Sequence, residues 1–205
     1  QADDPESLSS SNVWAMMEDS QGVFWVGTRG GGLNRFDRAT GKASAYKNTF
    51  GNPASLSNNN IWNIYEDRDG NLWVATENGG LNLFNRQSES FTSFQHNPND
   101  HSSISNNDIF WLTQDRSGVL WITSRYGGVN KLYPALWRFG LYRGVPGDPN
   151  TLNSNSVYSI LSEEGGILWI GTFGGGINRF NRNTRTLTVY RNDPNDPGSL
   201  SSDKI

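Results

Sequence analysis

The sequence of 205 residues contains no cysteine and only two histidines. The absence of cysteine excludes a thiolate nucleophile and a cysteine-ligated zinc site, and it fits an oxidising or a reducing compartment equally well. The two histidines, His96 and His101, stand in loop-type segments without a clustered pair of carboxylates. We therefore predict no metal site and no bound cofactor.

Positive charge and long apolar runs are also scarce. Lysine and arginine together number 17 against 20 aspartates and glutamates, which gives a net charge of −3. Without a basic patch the chain has no electrostatic footprint for nucleic acid, and the singly scattered cations argue against an anionic membrane surface. No apolar run approaches the roughly 18 residues of a membrane span, so membrane attachment is expected only through other parts of a parent protein.

What the sequence does have is a repeat of constant period. A tryptophan recurs every 48 residues, at Trp25, Trp73, Trp121 and Trp169. A glycine pair, an asparagine and a large apolar residue follow it in the same register, as in LWIGTFGGGINRF at 168–180. No insertion or deletion breaks this register over four periods, which indicates an array of equivalent structural units.

Each unit predicts four short β-strands. In the first unit these are NVWAMMED (12–19), VFWVGT (23–28), LNRFD (33–37) and ASAY (43–46). Strands of this length, bounded by Gly, Asn and Asp, are typical of antiparallel sheet, and no stretch keeps a helical period. Four such strands repeated about every 40–50 residues indicate the blade of a β-propeller, so the predicted fold is an all-β propeller of four-stranded antiparallel blades.

The recurrent residues are interpreted as scaffold. Glycines 30–32 are expected to supply the positive φ angles of a tight turn, because a phosphate-binding loop would need a helix after it. Asp19, three residues before Gly22, fits a carboxylate that closes a turn, and Trp25 fits packing between blades. Since every unit carries these residues and an enzyme needs one active site, the repetition favours a scaffold over catalysis.

The repeat resembles that of the two-component regulator propeller family, and the resemblance covers the whole chain. Its central motif is Leu-Trp-Ile-Gly-Thr at 168–172, and its loop motif occurs at Ser7-Leu8-Ser9, Ser55-Leu56-Ser57, Ser103-Ile104-Ser105 and Ser199-Leu200-Ser201. The resemblance implies a periplasmic sensor region of a bacterial histidine kinase, hybrid kinase or diguanylate cyclase. Such a region would bind a ligand or partner and perform no chemistry of its own.

Two other kinds of propeller fit less well. The Asp-box of sialidase-like propellers reads D-x-G-x-x-W, whereas Asp67, Gly70 and Trp73 are spaced D-x-x-G-x-x-W. Quinoprotein propellers share the D-x-x-T-G turn found at 37–41, but their tryptophan follows that turn. The alternative function is a carbohydrate-active propeller, either a glycoside hydrolase or a lyase. A glycosidase needs a pair of carboxylates, and no acidic pair departs from the repeat pattern.

Residues that form a binding surface should differ between repeats at equivalent positions, whereas residues of the scaffold should be the same in every repeat. The hairpin between the second and third strands shares one end of the blades with the loop that leads into each unit, and it carries such variation. The predicted ligand-binding residues are Arg29, Glu77, Asn78, Arg125, Tyr126 and Phe173. Arginine and aromatic side chains suit an oligosaccharide or another small, acidic molecule, through stacking and bidentate hydrogen bonds. An ordinary solvated rim is the alternative.

Apolar residues break the pattern at one turn on the opposite end. Leu136 and Trp137 replace the Thr40-Gly41 type of turn. They are predicted to contact a partner, with packing against the neighbouring turn as the alternative.

The repeats divide the chain into units of about 1–48, 49–96, 97–144 and 145–192, and residues 193–205 begin a fifth. Residues 193–205 are the repeat equivalents of 1–13, so both segments would compete for one place if four blades closed into a ring. We therefore expect the chain to be part of a ring of about seven or eight blades. Taken alone, it is expected to form an open arc or to self-associate through the exposed propeller edges.

Overall fold

The computed structural model describes residues 6–133 and 138–205, and it confirms the predicted blades. Blade 1 consists of β1 (Val13–Glu18), β2 (Phe24–Thr28), β3 (Gly32–Asp37) and β4 (Lys42–Tyr46). Blade 2 consists of β5 (Ile61–Glu66), β6 (Leu72–Thr76), β7 (Gly80–Asn85) and β8 (Ser90–Phe94). Blade 3 consists of β9 (Ile109–Gln114), β10 (Leu120–Ser124), β11 (Gly128–Tyr133) and β12 (Arg138–Tyr142). Blade 4 consists of β13 (Val157–Glu163), β14 (Ile167–Thr172), β15 (Gly176–Asn181) and β16 (Thr186–Tyr190).

Each blade is a separate antiparallel sheet whose strands are hydrogen-bonded in chain order. A short 3-10 helix, Glu164–Gly166, joins β13 to β14. The chain falls into two compact units. Unit 1 takes the chain up to His96 together with Asn107–Ile109, and unit 2 takes Asn97–Asn106 together with Phe110–Ile205. Unit 1 thus contains blades 1 and 2, and unit 2 contains blade 4 and nearly all of blade 3.

The hairpin glycines differ in what they provide, which corrects the expectation that positive φ explains them all. Gly30 and Gly32 have φ of 78° and 81°, whereas Gly31 is outside the left-handed region. A Cβ on Gly31 would overlap the Ser9 hydroxyl, so this glycine supplies space for the leading loop. A Cβ on Gly32 would overlap the carbonyl oxygen of Tyr46, so Gly32 meets both requirements.

A buried asparagine ties the leading loop to its own blade. In blade 1 the Asn34 side-chain oxygen accepts a hydrogen bond from the Ser9 backbone N–H at 3.0 Å, and its amide donates to the Val26 carbonyl. The leading loop of blade 2 is bound in the same way, by the Ser57 N–H to Asn82 at 3.1 Å, and it is also held by blade 1, because the Gly32 N–H donates to the Asn59 carbonyl at 2.9 Å. Within unit 1 this leading loop therefore joins two consecutive blades.

The recurrent aspartate closes its turn, as predicted, and also binds the recurrent tryptophan. Asp19 accepts hydrogen bonds from the backbone N–H groups of Gln21 and Val23 at 3.0 and 2.8 Å. Its second oxygen accepts from Trp25 Nε1 at 2.7 Å and from Arg86 of the next blade at 2.6 Å. One buried carboxylate thereby fixes a turn, a tryptophan ring and the adjacent blade.

The same arrangement recurs in unit 2. Asp115 accepts from the N–H groups of Ser117 and Val119, from Trp121 Nε1 at 2.8 Å and from Arg182 of blade 4. We call this set of contacts the Trp–Asp–Arg lock. Apolar packing accompanies it: the rings of Trp25 and Phe84 meet edge to face with centroids 5.4 Å apart. The predicted role of the tryptophan in packing between blades is thus seen within unit 1.

The locks predict a pH dependence of stability. Burial raises the pKa of Asp115, but the hydrogen bonds from Trp121 and Val119 and the charge of Arg182 outweigh it, so the pKa lies below its ordinary value of 3.8. The pKa of Asp19 is also below its ordinary value: burial raises it, but the hydrogen bonds from Trp25 and Arg86 outweigh that effect. A carboxylate with a lowered pKa in the folded state stabilises the fold above its unfolded-state pKa and loses that contribution as the pH falls through the folded value.

We therefore expect the unfolding free energy to be insensitive to these groups near neutral pH and to fall as the pH drops below about 4. Urea unfolding followed at a series of pH values measures this. Because exposed carboxylates also titrate there, the informative quantity is the difference between the parent chain and Asp115→Asn, which should shrink on acidification. A difference that stays constant down to the acid limit would contradict the assignment.

Candidate ligand-binding rim

An aromatic residue stands at the second position of every first strand, a signal that the sequence analysis left unused. These residues are Trp14, Trp62, Phe110 and Tyr158, again 48 residues apart. Trp14 lies where the strand register shifts by one residue: Val13 pairs with Thr28 and Ala15 with Gly27, which leaves Trp14 between them. The register shifts in the same way around Trp62 and Tyr158. Such β-bulges re-aim a side chain.

In unit 1 the bulge residues form an aromatic stack. The rings of Trp14 and Trp62 are nearly parallel, with an interplanar angle of 16° and centroids 4.1 Å apart. The Arg29 guanidinium lies 5.3 Å from the Trp14 ring centroid, and Trp62 Nε1 donates to Asp108 at 3.1 Å. Arg29 is therefore placed by a cation–π contact on the hairpin end of the blade.

The predicted acidic residue of unit 1 is also held in place. Glu77 is half-buried and accepts a hydrogen bond from the Asn60 side-chain amide at 2.6 Å. Asn60 in turn accepts from the Gly30 backbone N–H at 2.6 Å. The next residue, Asn78, is exposed and has φ of 57°, a conformation that asparagine tolerates better than most residues. The hairpin of blade 2 thus presents a fixed carboxylate.

Unit 2 has a groove at the equivalent place. Its volume is about 550 Å³, and it is lined by Arg125, Tyr126, Ser154, Asn155, Ser156, Tyr158 and Phe173. Tyr126 and Phe173 are 69 % and 49 % exposed, so their rings are accessible to a ligand. Tyr158 stacks on Phe110 with ring centroids 4.4 Å apart and lies 5.7 Å from Phe173. The groove therefore has aromatic walls.

The electrostatics of this groove differ from those of unit 1. The Arg125 guanidinium lies 5.3 Å from the Tyr126 ring, and Lys204 Nζ lies 5.2 Å from the Phe173 ring. None of the seven described residues that line the groove is acidic. Phe173 occupies the repeat position at which unit 1 carries Glu77. The unit 2 groove thus combines aromatic surface with positive charge, the combination that suits an anionic or sugar-like ligand.

Tyr126 has an unusual backbone. Its φ is 63°, in the left-handed region where the equivalent residues of blades 1 and 4 are the glycines Gly30 and Gly174. A side chain other than Gly, Asn or Asp in this conformation costs on the order of 1–2 kcal/mol. A tyrosine that is both strained and 69 % exposed contributes little to the fold, which favours a role for its side chain at the surface.

Of the predicted site residues, the structure brings Arg125, Tyr126 and Phe173 together around the groove. Arg125 is half-buried, and its guanidinium lies 5.3 Å from the centroid of the Tyr126 ring. The predicted partner contacts Leu136 and Trp137 lie outside the described residues. Within the described chain no group of three or more His, Cys, Asp or Glu residues could hold a metal ion, and His96 and His101 are exposed.

The family follows from comparison with known sequences. The sequence profile described as the two-component regulator propeller matches residues 7–30, 55–78, 103–126 and 151–174, once in each repeat. The chain carries four two-component regulator propeller repeats. Comparison with curated proteins gives no match for this chain.

Solved structures of related proteins agree with this result. The chain is 28 % identical to the extracellular domain of a putative hybrid two-component system from B. thetaiotaomicron, over 90 % of its own length and 25 % of that domain, with a TM-score of 0.81. A second such domain from the same organism is 25 % identical over 87 % of this chain and 25 % of its own, with a TM-score of 0.74. The chain therefore spans about a quarter of the length of these domains.

A more distant similarity shows the fold alone. An inactive virginiamycin B lyase from Staphylococcus aureus is 17 % identical over 87 % of this chain and 55 % of that one, with a TM-score of 0.62. Among residues 6–133 and 138–205, no helix has the length and apolar character needed to cross a membrane.

Proposed function

We propose that this chain is part of the periplasmic sensor region of a bacterial two-component signalling protein, where it binds a ligand and performs no chemistry. The observation that carries the proposal is the similarity, over 90 % of the chain, to the extracellular domain of a putative hybrid two-component system. The matched family is likewise one of regulators. The kinase or cyclase output of the signalling protein would be supplied by another domain.

The groove of unit 2 is the proposed ligand site. Aromatic rings such as those of Tyr126 and Phe173 stack on the apolar faces of sugar rings, while Arg125 can bond hydroxyl or carboxylate groups. Binding pockets of soluble proteins are concave surfaces with a few convergent polar groups on an apolar lining, and this groove has that composition. An oligosaccharide or another small polar molecule is the ligand class that it fits.

A carbohydrate-active enzyme is the alternative function. Hydrolysis of a glycosidic bond requires two carboxylates about 5–10 Å apart, one as acid and one as nucleophile or base. The described residues lining the unit 2 groove provide no carboxylate, and in unit 1 Glu77 is engaged by Asn60. Binding without turnover is therefore the function that the groove supports best.

The test is a binding screen with a panel of neutral and uronate-containing oligosaccharides, read by calorimetry. Arg125→Gln keeps a polar side chain but shortens it and removes its charge, and we expect it to weaken binding about tenfold or more, since a hydrogen bond to a charged group is worth roughly 1.5–3 kcal/mol. The matched control is Arg29→Gln, at the same repeat position in unit 1, which should leave the affinity unchanged.

Three results would contradict the proposal. Absence of binding to every saccharide in the panel would remove the ligand class. Equal losses in Arg125→Gln and Arg29→Gln would remove the groove as the site. Release of shorter sugars or unsaturated products during incubation would show that the protein is an enzyme and not a sensor.

A further inference from the structure

A second cleft lies between blades 3 and 4 at the end opposite to the unit 2 groove, among the turns that follow β9, β13 and β15. Its volume is about 470 Å³, and we call it the turn-end cleft. Its lining includes the cationic residues Arg116, Lys131 and Arg182 and the aromatic residues Tyr133 and Tyr142. The two walls face each other across an interface that is complete within unit 2.

The equivalent place in unit 1 is filled by a carboxylate. Glu66 accepts hydrogen bonds from the Ser20 backbone N–H at 2.6 Å and from the Ser20 hydroxyl at 3.0 Å. It also pairs with one terminal nitrogen of Arg86 at 2.9 Å, while the other terminal nitrogen of Arg86 binds Asp19 in the lock. The arginine at the repeat position of Arg86 in unit 2 is Arg182.

Unit 2 lacks this second carboxylate. The residue at the repeat position of Glu66 is Ser162, which lines the turn-end cleft. Arg182 binds Asp115 through one terminal nitrogen and the Gly166 carbonyl through Nε at 3.3 Å. Among the described residues the other terminal nitrogen of Arg182 has no hydrogen-bond partner, and the side chain is 21 % exposed. This nitrogen is therefore available to an anion that enters the cleft.

Lys131 supplies a second cation that has no carboxylate partner in the described part of the chain. Its Nζ lies 5.4 Å from the ring centroid of Tyr133 and 5.3 Å from that of Tyr142. The Tyr142 ring is 5.7 Å from the Trp121 ring, and the Arg182 guanidinium lies 5.4 Å from the centroid of Trp121. The two cations thus lie over neighbouring rings and line the same cleft, where one anionic ligand can reach both.

The residues of this cleft depart from the repeat at positions other than Ser162. The other repeats carry Asp37, Asn85 and Asn181 at the position of Tyr133, and Ser44, Thr92 and Thr188 at that of Gly140. Gly140 stands opposite Lys131 in the pairing of β11 with β12, and a Cβ there would overlap the Lys131 side chain. The glycine makes room for the lysine. Differences between repeats are what a binding surface, rather than the scaffold, requires.

The carboxylates near the cleft are already engaged. Glu164 pairs with Arg116, and both side chains are exposed. Glu163 accepts a hydrogen bond from Trp169 Nε1 at 2.7 Å, and Asp115 is buried in the lock. The two cationic groups without a carboxylate partner therefore make the cleft attractive to an anion.

We propose that the turn-end cleft binds the carboxylate of a small organic acid, in the place that Glu66 fills within unit 1. The carboxylate would accept hydrogen bonds from Arg182 and Lys131, which are stronger than neutral ones because donor and acceptor are charged. Tyr133 is 40 % exposed and offers an apolar surface to the rest of the molecule. A cleft of about 470 Å³ suits a uronate or an aromatic acid, and the site does not depend on the function proposed for the unit 2 groove.

Calorimetric titration of the full chain with glucuronate and benzoate tests the proposal, with glucose and benzyl alcohol as neutral counterparts. We expect at least one carboxylate to bind and its neutral counterpart not to bind. Ser162→Glu should weaken binding about tenfold or more, because its own carboxylate takes the place that Glu66 fills in unit 1 and repels the ligand. Lys131→Gln should also weaken it, by about tenfold, through loss of a charged donor. Thr188→Glu adds the same charge at an exposed position of β16 and should change nothing.

Arg125→Gln separates this site from the unit 2 groove and should leave binding in the turn-end cleft unchanged. The proposal is overturned if neither carboxylate binds, or if the neutral counterparts bind equally well. It is also overturned if neither Ser162→Glu nor Lys131→Gln weakens binding, or if only Arg125→Gln does. Urea unfolding of each variant shows that a loss of binding does not come from unfolding, and if Ser162→Glu is unstable, Lys131→Gln decides.

Discussion

Asp115→Ala is expected to lower the free energy of unfolding of unit 2 by about 3–5 kcal/mol, the range found when one partner of a buried ion pair is removed. Asp115 is 1 % exposed and satisfies Trp121 Nε1, two backbone N–H groups and the Arg182 guanidinium. Alanine leaves all of these donors without an acceptor in a site that water reaches poorly, so the loss includes their desolvation. Urea unfolding of the full chain, followed by tryptophan fluorescence, measures it.

Glu163→Ala provides the matched control. Glu163 occupies the same repeat position, accepts from Trp169 Nε1 at 2.7 Å and is exposed. Its removal should cost less than about 1 kcal/mol, because water can replace an exposed acceptor. Similar losses in the two variants would show that the bond to the tryptophan, which both carboxylates accept, outweighs the turn and the arginine of the next blade.

Gly32→Ala is expected to destabilise unit 1 by about 3 kcal/mol or more, through a strained left-handed alanine and a steric overlap together. Gly32 has φ of 81°, and a Cβ there would overlap the Tyr46 carbonyl oxygen. Relief of the overlap would require β3 and β4 to separate where the Gly32 N–H also donates to Asn59 of the next leading loop. Both the hairpin and the contact between blades would be disturbed.

Gly30→Ala separates the two contributions. Its φ is 78°, but a Cβ would meet no atom within 4 Å. Only the backbone strain remains, so the expected loss is about 1–2 kcal/mol. The presence of Asn78 and Tyr126 at the equivalent positions shows that the fold accepts a side chain there. If Gly32→Ala cost no more than Gly30→Ala in urea unfolding, the steric part of the explanation would be wrong.

The strands could be predicted to within a residue or two because each turn of the repeat carries its own chemistry. The first strand was expected at 12–19 and is Val13–Glu18, and the second was expected at 23–28 and is Phe24–Thr28. Asp19 follows the first strand and fixes the start of the second through hydrogen bonds from the N–H groups of Gln21 and Val23. Contacts of this short range can be predicted from spacing alone.

Contacts between repeats could not be predicted in the same way. The bond from Arg86 to Asp19 joins residues 67 positions apart, and it depends on how far one blade is rotated against the next. The residues of the groove could be predicted only in part. Arg125, Tyr126 and Phe173 were predicted because their positions vary among the repeats. Tyr158 was missed because its position is aromatic in every repeat and therefore looked like scaffold.

The leading loops have a consequence for how such a protein can change its size. A leading loop is bound to its own blade through a recurrent asparagine, as the Ser9 N–H is to Asn34. It is bound to the blade before it through the backbone of a glycine, as the Asn59 carbonyl is to Gly32. The bonds to the preceding blade involve main-chain groups, which every repeat has. Duplication or loss of 48 residues at any point would therefore leave every remaining blade with a compatible neighbour. Genes for such arrays can gain or lose whole blades by recombination between repeats, and at the new junction only side-chain contacts such as the Trp–Asp–Arg lock would need to be restored.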